Sequence, residues 1–148
     1  GSYNTNLINA KNLPANAKVK LRGGELIISQ VRPTRGAIAL IEDNLEYDTI
    51  CSGAFYTCEI YDKEQKEIIF LYFRLIKKVF EKYCGGTSYP TIDSFYLSKF
   101  LVPLFNSKLA RKVKLLMTES KRAKKESELL LDQAKQRVEE LIEGVIKE

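Results

Sequence analysis

Leu109, Val113, Leu116, Ser120, Ala123, Ser127, Leu130 and Ala134 follow one another at alternating intervals of four and three residues. That spacing keeps them on one stripe of a helix and is the seam of a heptad coiled coil. From residue 106 onward the chain has no Pro, no aromatic residue and only Gly144 as a glycine, whereas all 8 Tyr and 7 Phe precede it. The chain therefore divides into a region 1–105 and a helical region 106–148. A helix of about 40 residues is about 60 Å long, too long to pack wholly against a domain the size of the first region. After Ala134 the apolar positions move to Val138, Leu141, Ile142 and Val145, a stutter that locally straightens a supercoil. The basic cluster Lys121, Arg122, Lys124 and Lys125 reads as a solvated helix face. A lone helix with this stripe exposes a long apolar surface. The spacing thus predicts pairing with another helix, with Leu109, Val113, Leu116, Ala123, Leu130, Ala134, Val138 and Leu141 at the interface. The competing expectation is a helix folded back on its own domain.

Composition removes several function classes. The chain has no histidine, the commonest general base, triad member and metal ligand, and most hydrolase schemes go with it. Cys51, Cys58 and Cys84 form no C-x-x-C pair, and an odd count at irregular spacing predicts reduced thiols. Hydrophobic residues at 45% and charged residues at 29% are ordinary for a folded domain. No apolar run reaches the roughly 20 residues of a membrane helix, and no secretory pattern opens the chain. The expectation is a soluble, cytoplasmic protein. Lys and Arg number 24 against 19 Asp and Glu, a net charge of +5 that permits a polyanionic partner without requiring one.

Region 1–105 alternates strand and helix signals, which predicts an α+β domain. Leu26, Ile28 and Val31 suggest a strand after the Gly23-Gly24 turn, and Ala37 to Ile41 restarts one, so residues 26–41 read as a hairpin with a basic tip at Arg32-Pro33-Thr34-Arg35-Gly36. Thr49 to Tyr61 reads as one strand with a bulge near Ser52-Gly53. Glu67 through Tyr83 carries Ile68, Leu71, Tyr72, Leu75, Ile76, Val79 and Phe80 at helical spacing and ends at Gly85-Gly86. Asp93 is suited to cap a short helix through Phe100. A closing strand is expected over Leu101 to Leu104.

No catalytic pattern is convincing. Asp48, Glu64 and Lys66 have the order of a D…E-x-K nuclease, but Glu64 and Lys66 fall in a charged turn. Gly85-Gly86-Thr87-Ser88 lacks the lysine of a phosphate-binding P-loop and follows a helix instead of a strand. A methyltransferase pattern is missing too. A binding surface is easier to defend. Arg32 and Arg35 lie on a turn stiffened by Pro33, where guanidinium forks can meet phosphates or guanine edges. Thr87, Ser88 and Tyr89 add hydroxyls beside Pro90. For each of these, a surface ion pair or a turn satisfying its own backbone is an equal reading of spacing alone.

Three blocks of this sequence resemble one family. Leu21 with Gly24-Glu25-Leu26-Ile27-Ile28-Ser29, then Val31-Arg32-Pro33 and Gly36, looks like the "G-D-I-L…R-P…G" segment of target recognition domains in type I restriction-modification specificity subunits. Gly86-Thr87-Ser88-Tyr89-Pro90-Thr91-Ile92, with Leu97 and Leu101-Val102-Pro103-Leu104, is similar to that family's "G-T-x-x-P-x-I…L…I-P-L-P" block. Ala134 to Ile142 resembles the end of its long conserved helix. The blocks stand in family order across most of residues 21–142. Leu104-Phe105-Asn106-Ser107 departs from the family's second proline and "E-Q" pair. The family's opening segment is also missing, and Gly1-Ser2 has the form of a cloning remnant. A complete specificity subunit carries two recognition domains and two helices, so one of each here implies a half-subunit, a fragment or one partner of a dimer.

The resemblance implies a DNA target recognition domain over 1–105 and a conserved-region helix over 106–148. It further implies a non-catalytic specificity component that reads a half-site of double-stranded DNA in the major groove. Arg32, Arg35, Thr87, Ser88 and Tyr89 then become DNA-contact candidates, with Lys99 on the short helix after the same loop. No cofactor and no metal are implied. The implied partners are DNA, the methyltransferase and restriction subunits, and a second copy joined through the helix. The alternative is a non-catalytic protein-protein scaffold with a coiled-coil handle.

Overall fold

The computed structural model describes residue 3 and residues 5–35, 37–86 and 88–144. Contacts divide the chain into residues Gly1–Ala110 and Arg111–Glu148. The architecture is mixed α+β, with small antiparallel sheets in the first part and one long helix toward the C-terminus.

Among the described residues seven strands form three sheets: β1 (Ala17–Leu21) with β4 (Thr49–Ser52); β3 (Ile38–Leu40), β2 (Leu26–Ser29) and β5 (Phe55–Cys58) in that order; and β6 (Cys84–Gly85) with β7 (Thr91–Ile92). The 26–41 hairpin is present, with Leu26 opposite Leu40 and Ile28 opposite Ile38. Every residue of β2 is buried, because this central strand is covered on both faces. Ile27 joins Leu21, Ala39 and Ile41 in one cluster, against which Tyr3, Leu45, Cys51 and Phe55 pack. Leu26 and Ile28 point the other way by strand alternation, and α1 (Lys66–Leu75) packs on β3.

The turn entering β2 explains part of its motif. The Glu25 carboxylate accepts the backbone N–H groups of Arg22 at 2.6 Å and Gly23 at 2.8 Å. Gly24 has φ +80°, and a side chain there would overlap the Lys66 ammonium and the Asp43 carboxylate, which form an ion pair. Glycine and an acid at these positions are therefore dictated by the backbone.

Three expectations are corrected. Thr49 to Tyr61 is not one bulged strand: β4 pairs with β1, the chain turns at Gly53-Ala54, and β5 pairs with β2 in another sheet. Three hydrogen bonds pin the turn, from Gly53 N to Asn16 O at 2.8 Å, from Gln30 N to Ala54 O at 2.8 Å and from Gln30 Nε2 to Gly53 O at 3.1 Å. The helix over 67–83 is α-helical only to Leu75 and continues as a 3-10 helix over Lys77–Tyr83. β-Branched Ile76 and Val79, weak helix formers, flank that change, and Val79 N bonds to Ile76 O at 2.7 Å in the tighter i to i−3 pattern. Phe73 and Phe80 then provide the buried stripe, while Leu75 is 82% exposed.

The closing strand over 101–104 does not form: the segment is irregular, and Leu101 and Leu104 are 87% and 95% exposed. Pro103 has no N–H to give a ladder. Instead, the Tyr72 hydroxyl donates to Leu101 O at 3.1 Å. The buried Gln65 amide clamps Phe105, donating to its carbonyl at 3.0 Å and accepting its N–H at 3.3 Å.

Asp93 caps α2 (Ser94–Ser98) as expected, accepting from Phe95 N at 2.8 Å. α3 runs over Ser107–Ile142 and opens at Asn106, whose side chain accepts from Lys108 N at 2.8 Å. It closes with Gly144 at φ +69°, the left-handed conformation glycine supplies at helix ends. Val145 of the apolar stripe lies outside the described residues. Among the described residues no helix is long and apolar enough to cross a membrane.

Candidate nucleic-acid interface

The two polar loops singled out in the sequence meet in space. β2 ends at Ser29, which is buried and donates its hydroxyl to Val31 O at 2.8 Å, closing the first step of the tip. Gln30 then joins both sides of the junction, because its carbonyl accepts Ile92 N at 3.0 Å while its N–H and amide hold the Gly53 turn. Val31 bridges Thr91. Arg32 N donates to Pro90 O at 2.7 Å. The hairpin tip is thereby sewn to the 86–92 loop through the backbone.

Arg32 completes the junction with its side chain. Its guanidinium lies 4.4 Å over the Tyr89 ring and donates through Nη2 to Ser88 O at 3.0 Å, across 56 residues of sequence. Its backbone has φ 49°, the left-handed region that costs an ordinary residue roughly 1–2 kcal/mol. Pro33, fully buried, starts the 3-10 turn Pro33–Arg35, and Arg35 N bonds back to Arg32 O at 3.0 Å. Arg35 itself is exposed.

The partner loop is built on a two-rung ladder, with Cys84 opposite Ile92 and Gly85 opposite Thr91. The Tyr56 hydroxyl donates to Ile92 O at 3.1 Å, anchoring β7 to the central sheet. Gly86 has φ +87°, and a Cβ there would stand 3.2 Å from Tyr89 O, so the loop requires glycine at its entry. Ser88 and Tyr89 are exposed. Thr87 and Gly36 lie outside the described residues.

Of the DNA-contact candidates, Arg32, Ser88 and Tyr89 are thus in one cluster, with Arg35 on the adjoining turn. Lys99 belongs to a different neighbourhood, its ammonium 5.4 Å over Phe95 at the end of α2. Phe95, Tyr96 and Tyr83 form an exposed aromatic group there, with Tyr83 and Tyr96 centroids 5.9 Å apart and Phe95 and Tyr96 5.6 Å apart. Neither Gln30 nor this aromatic group is among the residues the sequence singles out. A polar residue between Ser29 and Val31 carries no signal of its own, whereas Phe95-Tyr96 beside a capping Asp93 was legible as surface.

The D…E-x-K pattern is not assembled around a free lysine. Lys66 is buried and paired with Asp43, and Asp48 is bound by Lys20 at 2.7 Å. Burial pushes the Cys58 thiol up, and burial with a neighbouring carboxylate, Glu25 or Glu81, raises Cys51 and Cys84. All three are free cysteines. Among the described residues no three His, Cys, Asp or Glu side chains gather as a metal site.

On the helix, Leu109, Leu116, Ala123, Leu130, Ala134, Val138 and Leu141 are exposed and Val113 is half-buried. The stripe is uncovered over most of its length. Leu129 and Leu131 widen the apolar surface around Leu130. No family model, curated protein or solved structure matches the chain.

Proposed function

We propose that this chain is the sequence-reading component of a type I restriction-modification system, a specificity subunit or half-subunit that binds double-stranded DNA and performs no chemistry itself. The observation that carries the reading is the junction of two segments far apart in sequence. The "R-P" tip and the "G-T-x-x-P" loop, two of the three blocks on which the family resemblance rests, meet in one exposed surface of guanidinium, hydroxyl and phenol groups. Such groups match the acceptors of base edges and phosphates in the major groove. Arg32, Arg35, Ser88 and Tyr89 form the reading surface, Thr87, outside the described residues, is a further DNA-contact candidate by the resemblance, and Lys99 is a flanking phosphate contact.

In this reading α3 is a ruler. Its uncovered leucines pair with the helix of a second copy as a coiled coil, fix the separation of two half-sites, and dock the methyltransferase and restriction subunits. Water-exposed Leu116, Leu129, Leu130 and Leu131 support a helix partner.

Selection from a random duplex pool by the purified chain, with and without a methyltransferase subunit, tests the proposal. The expected result is one enriched motif whose affinity falls steeply with salt. A pool that stays random with both preparations would falsify it. A protein-protein scaffold is the second reading, favoured by the exposed Tyr83, Phe95 and Tyr96 group. It requires DNA binding that is weak and indifferent to sequence.

A further inference from the structure

Arg32 is the one non-glycine residue with positive φ among the described residues. Asparagine or glycine is the usual occupant of that conformation, and arginine has no short side-chain bond to its own backbone to offset the strain. What holds it is its neighbourhood. The Arg32 N–H is bound by Pro90 O, its guanidinium plane rests on Tyr89, and its Nη2 donates to Ser88 O. Strain that is overdetermined by its surroundings and lies in an exposed loop marks a position selected for something other than stability.

We infer that Arg32 is a positioning residue of the reading surface: it does not read a base, but locks the Ser88–Pro90 segment so that Ser88 and Tyr89 face the DNA in one orientation, leaving Arg35 as the cation that meets it. The inference rests on the DNA reading proposed above and deepens it. A guanidinium that recognises guanine needs two coplanar N–H groups free for O6 and N7. One Nη2 hydrogen of Arg32 goes to Ser88 O and the guanidinium plane rests on Tyr89, so one bidentate edge and one face of the group are engaged by protein. Arg35 is exposed on a turn whose backbone Arg32 fixes. Backbone bonds fix the loop at Pro90, Thr91 and Ile92, whereas Ser88 and Tyr89 are held by the Arg32 side chain. Without Arg32 the hydroxyls at 88 and 89 keep their chemistry and lose their direction.

The test uses the full chain, the enriched duplex and a scrambled duplex of equal length, with affinity measured across salt concentration. Arg32→Ala lowers the ratio of enriched to scrambled affinity by about tenfold or more and leaves the salt slope unchanged, because no phosphate contact is lost. Arg35→Ala reduces that slope by about one and weakens both duplexes. Tyr89→Ala reproduces the Arg32→Ala effect, and the double variant is no worse than either single, whereas Tyr89→Phe keeps the stack. Arg32→Gly, which accepts the left-handed backbone, keeps the domain folded and shows the same loss of discrimination. A salt slope that falls with Arg32→Ala, or losses at Arg32 and Tyr89 that simply add, overturns this inference while leaving DNA reading intact. If no duplex is enriched, both fall.

Discussion

Gln65 should behave as a buried latch between the start of α1 and the segment entering the long helix. It stands at the N-cap position of α1 but makes no side-chain cap, because its amide is occupied by both backbone groups of Phe105. It is 5% exposed, so water cannot replace either bond. Gln65→Ala removes two hydrogen bonds worth about 1 kcal/mol each and strands a half-buried N–H and carbonyl, for a total of roughly 2–4 kcal/mol. Urea unfolding followed by circular dichroism measures the loss, and hydrogen exchange at the Phe105 amide localises it. Gln65→Glu sharpens the argument. A protonated carboxyl reproduces the donor and acceptor of the amide, but the carboxylate opposes the Phe105 carbonyl and is desolvated, so the folded-state pKa rises above the unfolded value of about 4.3. The proton-linked stability is fully present below that unfolded value and is lost as pH rises through the folded one. A Gln65→Ala variant that loses under about 0.5 kcal/mol with Phe105 still protected would refute the latch.

Phe80 is 0% exposed and lies between Phe73, 6.2 Å away, and Phe100, 5.0 Å away, so Phe80→Ala should cost about 3–5 kcal/mol in the same unfolding assay. Leu116 and Leu130 are 53% and 58% exposed, so Leu116→Asp with Leu130→Asp should leave the helical circular dichroism of the single chain in place. Burying those charges should weaken the proposed pairing by several kcal/mol, read as a shift to monomer mass by analytical ultracentrifugation. The thiols at 51, 58 and 84 are raised by burial and therefore neutral at pH 7, so iodoacetamide should modify all three more slowly than free cysteine, with rates that climb only at alkaline pH. Rapid labelling of Cys58 at pH 7 in the folded protein would contradict its placement.

What the sequence made legible was local. The apolar runs at 26–28 and 38–41, the glycine pair before them and Asp93 before α2 each carry their signal within a few residues, and each element formed. The stripe from Leu109 to Ala134 was long enough to identify α3 by period alone. Long-range side-chain bonds left no such trace. An exposed apolar segment such as Leu101-Val102-Pro103-Leu104 has the composition of a strand, and only Tyr72 and Gln65, some 30 to 40 residues away, satisfy its backbone and that of Phe105 in another way. The split of 49–61 between two sheets depends likewise on Gln30 and Asn16. At the proposed reading surface the residue types were legible, but the stack of Arg32 on Tyr89 and the left-handed backbone beneath it were not, since neither follows from spacing.

The placement of that surface follows from how strain is tolerated. A left-handed arginine in a loop flanked by mobile chain would relax, but here the preceding residues Ile28 and Ser29 are buried and the following Pro33 is fully buried. The tip therefore cannot shift without exposing apolar area, at roughly 25 cal/mol per Å². The same rigidity reaches the second loop, because β7 is tied to the central sheet by the Tyr56 hydroxyl and by Gln30. Two loops anchored to one buried strand move as a unit. That arrangement lets exposed hydroxyls and a guanidinium be aimed at a ligand from a small domain, and it puts variation at Arg35, Ser88 and Tyr89 outside the core, where side chains can change without disturbing β2.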